Sequence, residues 1–201
     1  MRKVISDYQI DTTQIIYDAT NFFTYIDTMQ DSVLPKRGNC KSKRNDLKIV
    51  GLALMVSPEF AIPLLHDTYP GNRSDAKEFP VMIERLKSRY ESMTGKTADV
   101  TIVFDRGNNS ENNIDILESG DFKLNYVGGL KRNQAEELFF ISRNEYTSLD
   151  SPALKNQTAY RKEITAFGRN VTAVIVHNPE LEKGQMQGIM INMDFHDSKD
   201  A

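Results

Sequence analysis

The stretch IIYDATNFFTY, residues 15–25, sets a single aspartate, Asp18, among β-branched and aromatic residues. Such residues favour a pleated, half-buried backbone, so residues 13–25 read as a strand. A carboxylate buried among Ile15, Ile16, Phe22 and Phe23 is costly unless it is paired or holds a metal. Side chains alternate along a strand, which leaves a second option for Asp18, a face turned to solvent.

Working outward, LPKRGNCKSKRNDLK (34–48) is punctuated by Gly38, Asn39, Ser42 and Asn45 and reads as a loop or wide hairpin tip. It is basic, carrying Lys36, Arg37, Lys41, Lys43 and Arg44. LKIVGLALMVS (47–57) and AIPLLHDTY (61–69) read as two further strands, and short connections make the three an antiparallel meander. The hydrophobic period then changes. Phe79, Met82, Ile83, Leu86 and Tyr90 recur on one helical face. Ser74 or Asp75 supplies the N-cap, and Glu78 fits a capping box with Asp75. DVTIVFD (99–105) is apolar through its middle, as suits a strand covered on both faces. RGNNS turns the chain, Ser110 caps a short helix that Gly120 closes, and FKLNYVGG (122–129) is a fifth strand.

The expected order is therefore β-β-β-α-β-α-β, an α/β core with a mixed sheet over residues 10–131. Residues 132–178 differ in texture: a short helical patch, a polar stretch, then two strands around Gly168-Arg169-Asn170. Residues 179–201 read as the start of a helix, with Pro179 in its first turn, and a frayed polar tail, DFHDSKDA.

Composition narrows the function. A chain of 201 residues can bury a real core. Its net charge of −3 gives no bulk signal for nucleic acid, so local charge decides. Cys40 is the only cysteine, and His66, His177 and His196 are scattered, which excludes an intrachain disulfide and a zinc-finger framework. No apolar h-region follows Met-Arg-Lys, and the longest apolar run, IVGLALMV (49–56), is too short to span a bilayer. A cytoplasmic location without membrane contact is expected.

Asp105 ends the fourth strand before a Gly-Asn-rich turn, where open α/β sheets gather ligands. If the first and fourth strands are neighbours, Asp18 and Asp105 can meet. Adjacent carboxylates repel unless a cation lies between them, and hard oxygen donors suit Mg²⁺ or Mn²⁺. An Asp in either place also has a plainer use, as a turn cap or a solvated strand residue.

YDATNFFTY, KSKRNDLKIVGLAL, HDTYPGNRSDAKEFP and VTIVFDRGNNSENN, in this order and spacing, resemble the catalytic domain of DDE-type insertion-sequence transposases. The resemblance covers roughly residues 10–190, in the branch whose ribonuclease-H-like fold is interrupted by a β-rich insertion. It implies Asp18 and Asp105 as catalytic metal ligands, with Mg²⁺ or Mn²⁺ as cofactor. It further implies strand cleavage and transfer in DNA transposition, with DNA ends and target as partners and a nucleoid-associated place in the cytoplasm. Lys36, Arg37, Lys41, Lys43, Arg44, Arg106, Lys131 and Arg132 become candidate DNA contacts, since cationic loops hold phosphates without reading sequence.

The family also needs a third acid, a Glu on a helix after the insertion. Glu111, Glu136, Glu137, Glu163, Glu180 and Glu182 lack its sequence frame. The expectation is a truncated catalytic domain, impaired by that loss. The alternative is a non-enzymatic fragment that binds DNA through the 36–44 loop, or that binds a full-length transposase and inhibits it; a homo-oligomer or a full-length transposase is the expected protein partner.

Overall fold

The structure is a computed structural model that describes residues 1–27, 29–95 and 99–197. The chain divides into two compact units, 1–131 and 132–201. No helix among the described residues is long and apolar enough to cross a membrane.

In the first unit, a short helix α1 (Arg2–Asp7) precedes β1 (Gln14–Thr24), β2 (Lys48–Val56), β3 (Pro63–Pro70), α2 (Asp75–Thr94), β4 (Thr101–Phe104), α3 (Glu111–Glu118) and β5 (Asn125–Gly128). The strands form one mixed sheet in the order β3-β2-β1-β4-β5. β1, β2 and β3 pair antiparallel, and β1-β4 and β4-β5 pair parallel. The parallel pairings follow from the helices α2 and α3, which carry the chain back over the sheet before each new strand begins.

Alternation builds the core on one face. Ile15, Tyr17 and Ala19 of β1, Ala53 and Met55 of β2, and Ile102 and Phe104 of β4 are buried. They meet the apolar stripe of α2, where Phe79, Met82, Ile83, Leu86 and Tyr90 are at most 1% exposed. Phe79 is the centre: its ring meets Tyr17 edge-on at 5.1 Å and Phe104 at 4.8 Å. Gly95 ends α2 in the left-handed conformation (φ 74°) and returns its N–H to Glu91 O. Lys87 of α2 donates to the carbonyls of Ile116 and Ser119, closing the end of α3.

The opposite face carries no such stripe. Val50, Leu52, Leu54 and Val56 of β2 and Val103 of β4 are only half-buried, and Ile16 and Val127 are exposed. β4 is therefore covered on one face, where its apolar middle suggested both.

The capping box also differs. Ser74 is the N-cap of α2, but its side chain accepts no capping hydrogen bond. Asp75 instead accepts from the Tyr69 hydroxyl at 2.6 Å. Glu78 turns inward, and neither of its carboxylate oxygens has a hydrogen-bond partner.

The second unit begins with 3-10 turns at Arg132–Gln134, Glu136–Phe140, Arg143–Glu145 and Pro152–Leu154, where the sequence suggested a helical patch. β6 (Thr147–Ser148), β7 (Thr158–Ala166) and β8 (Arg169–His177) form an antiparallel sheet in that order. Helix α4 (Pro179–Asp197) runs through the first half of the tail expected to fray; residues 198–201 lie outside the described residues.

Candidate active site

β1 and β4 run parallel with Tyr17 opposite Phe104, the last residue of β4. One step further along each strand stand Asp18 and Asp105. Asp105 keeps an extended backbone (φ −69°, ψ 153°), so the strand's alternation carries through it. Tyr17 and Phe104 point into the core, and Asp18 and Asp105 are both exposed. The two carboxylates thus stand at one level on adjacent strands, whose backbones lie about 4.8 Å apart.

The burial suggested for Asp18 by its aromatic neighbours does not occur. Strand alternation turns it to the open face, so its charge keeps contact with water. Its Oδ1 accepts from the Ala19 N–H at 2.8 Å. The plainer role of Asp105 is not filled either: it precedes the turn Arg106–Asn108, but its side chain makes no capping hydrogen bond. Its carbonyl accepts from Asn108 N at 3.0 Å.

β1 continues to Thr24 with β2 as its partner, while β4 and β5 stop beside the aspartates. The loops that follow β4 and β5 begin at this level, at the carboxyl ends of the parallel strands. Two asparagine side chains brace the loop after β4, and their roles are not visible in RGNNSENN, which reads as a turn and the start of a short helix. Asn109 is buried and donates through Nδ2 to Gly129 O, tying the loop after β4 to the end of β5. Asn113, also buried, donates to Asn108 O at 2.7 Å. Ser110 caps α3 by accepting from Asn113 N at 3.2 Å. The backbone that presents Asp105 and Arg106 is thereby fixed from three sides.

The basic loop lies flat against the sheet end. Lys36 bridges Ile49 through backbone hydrogen bonds in both directions. Glycine is needed where the loop crosses the turn after β3, because a Cβ on Gly38 would stand 2.1 Å from Gly71 O. Asn21 of β1 pins the loop further, donating to Asn39 O and accepting from Lys41 N, both at 3.1 Å.

Three of the five cations are spoken for within the chain. Lys36 meets Asp31 at 2.8 Å, Lys41 meets Asp75 at 3.5 Å, and Arg44 grips Asp46 through two bonds of 2.9 and 2.8 Å. That grip and its charge hold the Asp46 carboxyl down at about 2. Arg37 and Lys43 are exposed, and Lys43 donates its backbone N–H to Cys40 O at 2.9 Å; no side-chain hydrogen bond or close ion pair of either is seen among the described residues. Arg106 is exposed beside Asp105. Lys131 closes the first unit, whereas Arg132 opens the second, where its guanidinium lies 5.4 Å from the Phe139 ring centre.

The donor set fits a hard divalent cation. Two exposed carboxylates share one face and one level, and no hydrogen bond of the Asp105 side chain is seen among the described residues. Mg²⁺ is commonly held by one or two carboxylates and keeps several waters. Among the described residues, no three His, Cys, Asp or Glu side chains are grouped as a metal site, so no third acid joins this pair.

No family model and no curated protein matches the chain. Among solved structures it is similar to piggyBac transposase in a synaptic complex with hairpin DNA, at 15% identity and a TM-score of 0.40, covering 82% of this chain and 32% of that one. It is also similar to Mos1 transposase in a paired-end complex with the left transposon end (12% identity, TM-score 0.39, 61% and 37% covered). A Mos1 mariner paired-end complex with Mn gives 14%, 0.39, 61% and 38%. The chain thus spans about a third of the length of these proteins. TM-scores this low leave function to be argued from the site.

Proposed function

We propose that the first unit is the ribonuclease-H-like catalytic core of a DDE-type insertion-sequence transposase, and that Asp18 and Asp105 are its divalent-metal ligands. The observation that carries this reading is the β1-β4 register, which brings two aspartates 87 positions apart in the chain to one level on one face. The strand order β3-β2-β1-β4-β5 and the four motifs resembling that family support it.

A divalent ion held there would neutralise charge developing on a phosphodiester and so assist an in-line displacement. The chain's own groups bind and orient. Asp18 and Asp105 would hold the ion at the ends of the paired β1 and β4 segments. The asparagine-braced loop keeps Asp105 from drifting, which matters because about 1 Å of misplacement at a reacting centre costs ~10²-fold. Arg106, next to the acid, and the exposed Arg37 and Lys43 of the pinned loop offer charge to the DNA backbone.

With two acids grouped and no third beside them among the described residues, the chain would hold metal more loosely than a complete triad, and weak or absent strand transfer by the isolated chain is expected. Calorimetric titration of the full chain with Mn²⁺ is expected to show binding that disappears in Asp18→Asn and again in Asp105→Asn. Binding that persists unchanged in both variants would remove the assignment.

A further inference from the structure

The sheet of the second unit ends on β8, which pairs only with β7 among the described residues. The turn joining them identifies which backbone groups of β8 are free. Phe167 and Gly168 both have positive φ (53° and 70°), and Ala166 stands opposite Arg169. In a two-residue hairpin of this kind the flanking pair exchanges both ladder bonds. Counting by twos, Arg169, Val171, Ala173, Ile175 and His177 bond to β7. Asn170, Thr172, Val174 and Val176 turn their N–H and C=O groups outward.

Exposed edges are normally guarded by Lys, Pro, a bulge or a covering segment. Residues 170–176, NVTAVIV, contain no charge and no proline, and their pairing with β7 is without a bulge. Val174 and Val176 are 58% and 50% exposed.

We propose that β8 pairs antiparallel with β8 of a second copy of this chain, about a two-fold axis at Val174. The pattern is self-complementary there, as an isologous interface demands. An axis at Val174 sets Val174 against Val174, Thr172 against Val176 and Ala173 against Ile175. Outward-bonding residues then face outward-bonding residues, the condition for an antiparallel ladder. Arg169 falls beyond the paired stretch, so no like charges oppose one another. Pairing joins two three-stranded sheets into one and satisfies the free backbone groups of both edges.

The test is light scattering on the eluting full chain from low to high micromolar concentration, with hydrogen exchange read at the same concentrations. The mass is expected to climb from 22.9 kDa towards twice that value, with the amides of Thr172, Val174 and Val176 slowing in step. Val174→Pro deletes one outward donor while leaving the β7 ladder whole, since proline is tolerated where an edge N–H faces solvent. Val174→Lys sets two like charges face to face at the axis. Each is expected to weaken the dimer by about tenfold or more, a change of about 1.4 kcal/mol. Should the proline variant lose the hairpin, judged by circular dichroism, the lysine variant carries the test. A monomer at every concentration overturns the proposal. So does a dimer indifferent to Val174→Lys, or one whose formation leaves these three amides unprotected.

Discussion

The two faces of the five-stranded sheet are made by the same strands and held by the same ladder, yet they have opposite characters. Tyr17 is 1% exposed and packs edge-on against Phe79; its neighbour Asp18 stands in solvent on the other side. Phe104 and Asp105 repeat the contrast one strand over. The covered face has a helix for a partner and is closed by shape. The other carries half-buried aliphatics and two carboxylates at one level. Substitutions on the first should cost structure, and substitutions on the second should cost binding while leaving structure nearly alone.

The largest expected effect is therefore on the covered face. Phe79→Ala removes the ring shared by Tyr17 and Phe104 in a region without exposure, and truncations of this kind cost about 3–5 kcal/mol. Domains are stable by only about 5–15 kcal/mol, so the variant should stand near unfolding. Urea denaturation measures it. A loss below about 1 kcal/mol would mean that α2 is not seated on the sheet, and the contrast between the faces would collapse.

Glu78 is the exception on the covered face, a carboxyl with Arg73 Nη1 3.2 Å from Oε2 and no hydrogen bond. Burial raises its pKa; the Arg73 charge opposes this and the Asp67 charge adds to it. Above the ordinary carboxyl value of 4.5 the folded chain therefore keeps a proton that the unfolded chain has released. Stability is fully present below that value and falls as pH rises through the window up to the folded pKa. Glu78→Gln keeps the shape without the charge, and Arg73 is exposed enough to be hydrated once its partner is gone. Thermal melts should show the glutamine variant more stable than the parent by about 1 kcal/mol at mildly alkaline pH, the scale of an unsatisfied buried group. The gap should close at mildly acidic pH. A gap of the same size at both would show that packing, and not titration, separates them.

Much of the first unit is legible in the sequence because its signals are local. Period 2 in residues 15–25 and period 3.6 in residues 79–90 report strand and helix directly, and Ser110 caps α3 as its position suggests. What is not legible depends on partners far along the chain. Glu78 lies three residues after Asp75, the capping-box spacing, yet it turns inward, and Asp75 is taken by the Tyr69 hydroxyl. The side of the sheet on which Asp18 emerges depends on where α2 packs, which the strand's own residues cannot report. The charges of the basic loop look free in sequence, but Asp31, Asp46 and Asp75 neutralise three of them through contacts that appear only on folding. Asn109 reads as a turn former and Asn113 as part of a short helix, because buried side-chain bonds to carbonyls leave no periodic trace.

The smallest expected effect on stability is also the one that bears most on function. Asp18 is exposed, and its side chain accepts from the next residue's N–H, so Asp18→Asn should change the unfolding free energy without metal by less than about 0.5 kcal/mol. Relief of repulsion from Asp105 favours the variant slightly. With Mn²⁺ the two proteins should part. A ligand that binds only the folded chain stabilises it by RT ln(1 + [L]/Kd), about 2.7 kcal/mol at a hundredfold excess over Kd. The parent should gain melting temperature as Mn²⁺ rises, while Asp18→Asn stays flat. Equal gains would place the metal elsewhere and leave the open face as an unfinished surface rather than a site. A large loss of stability without metal would show instead that Asp18 holds the strand together, and the division of labour between the faces would fail at the residue where it is drawn most sharply.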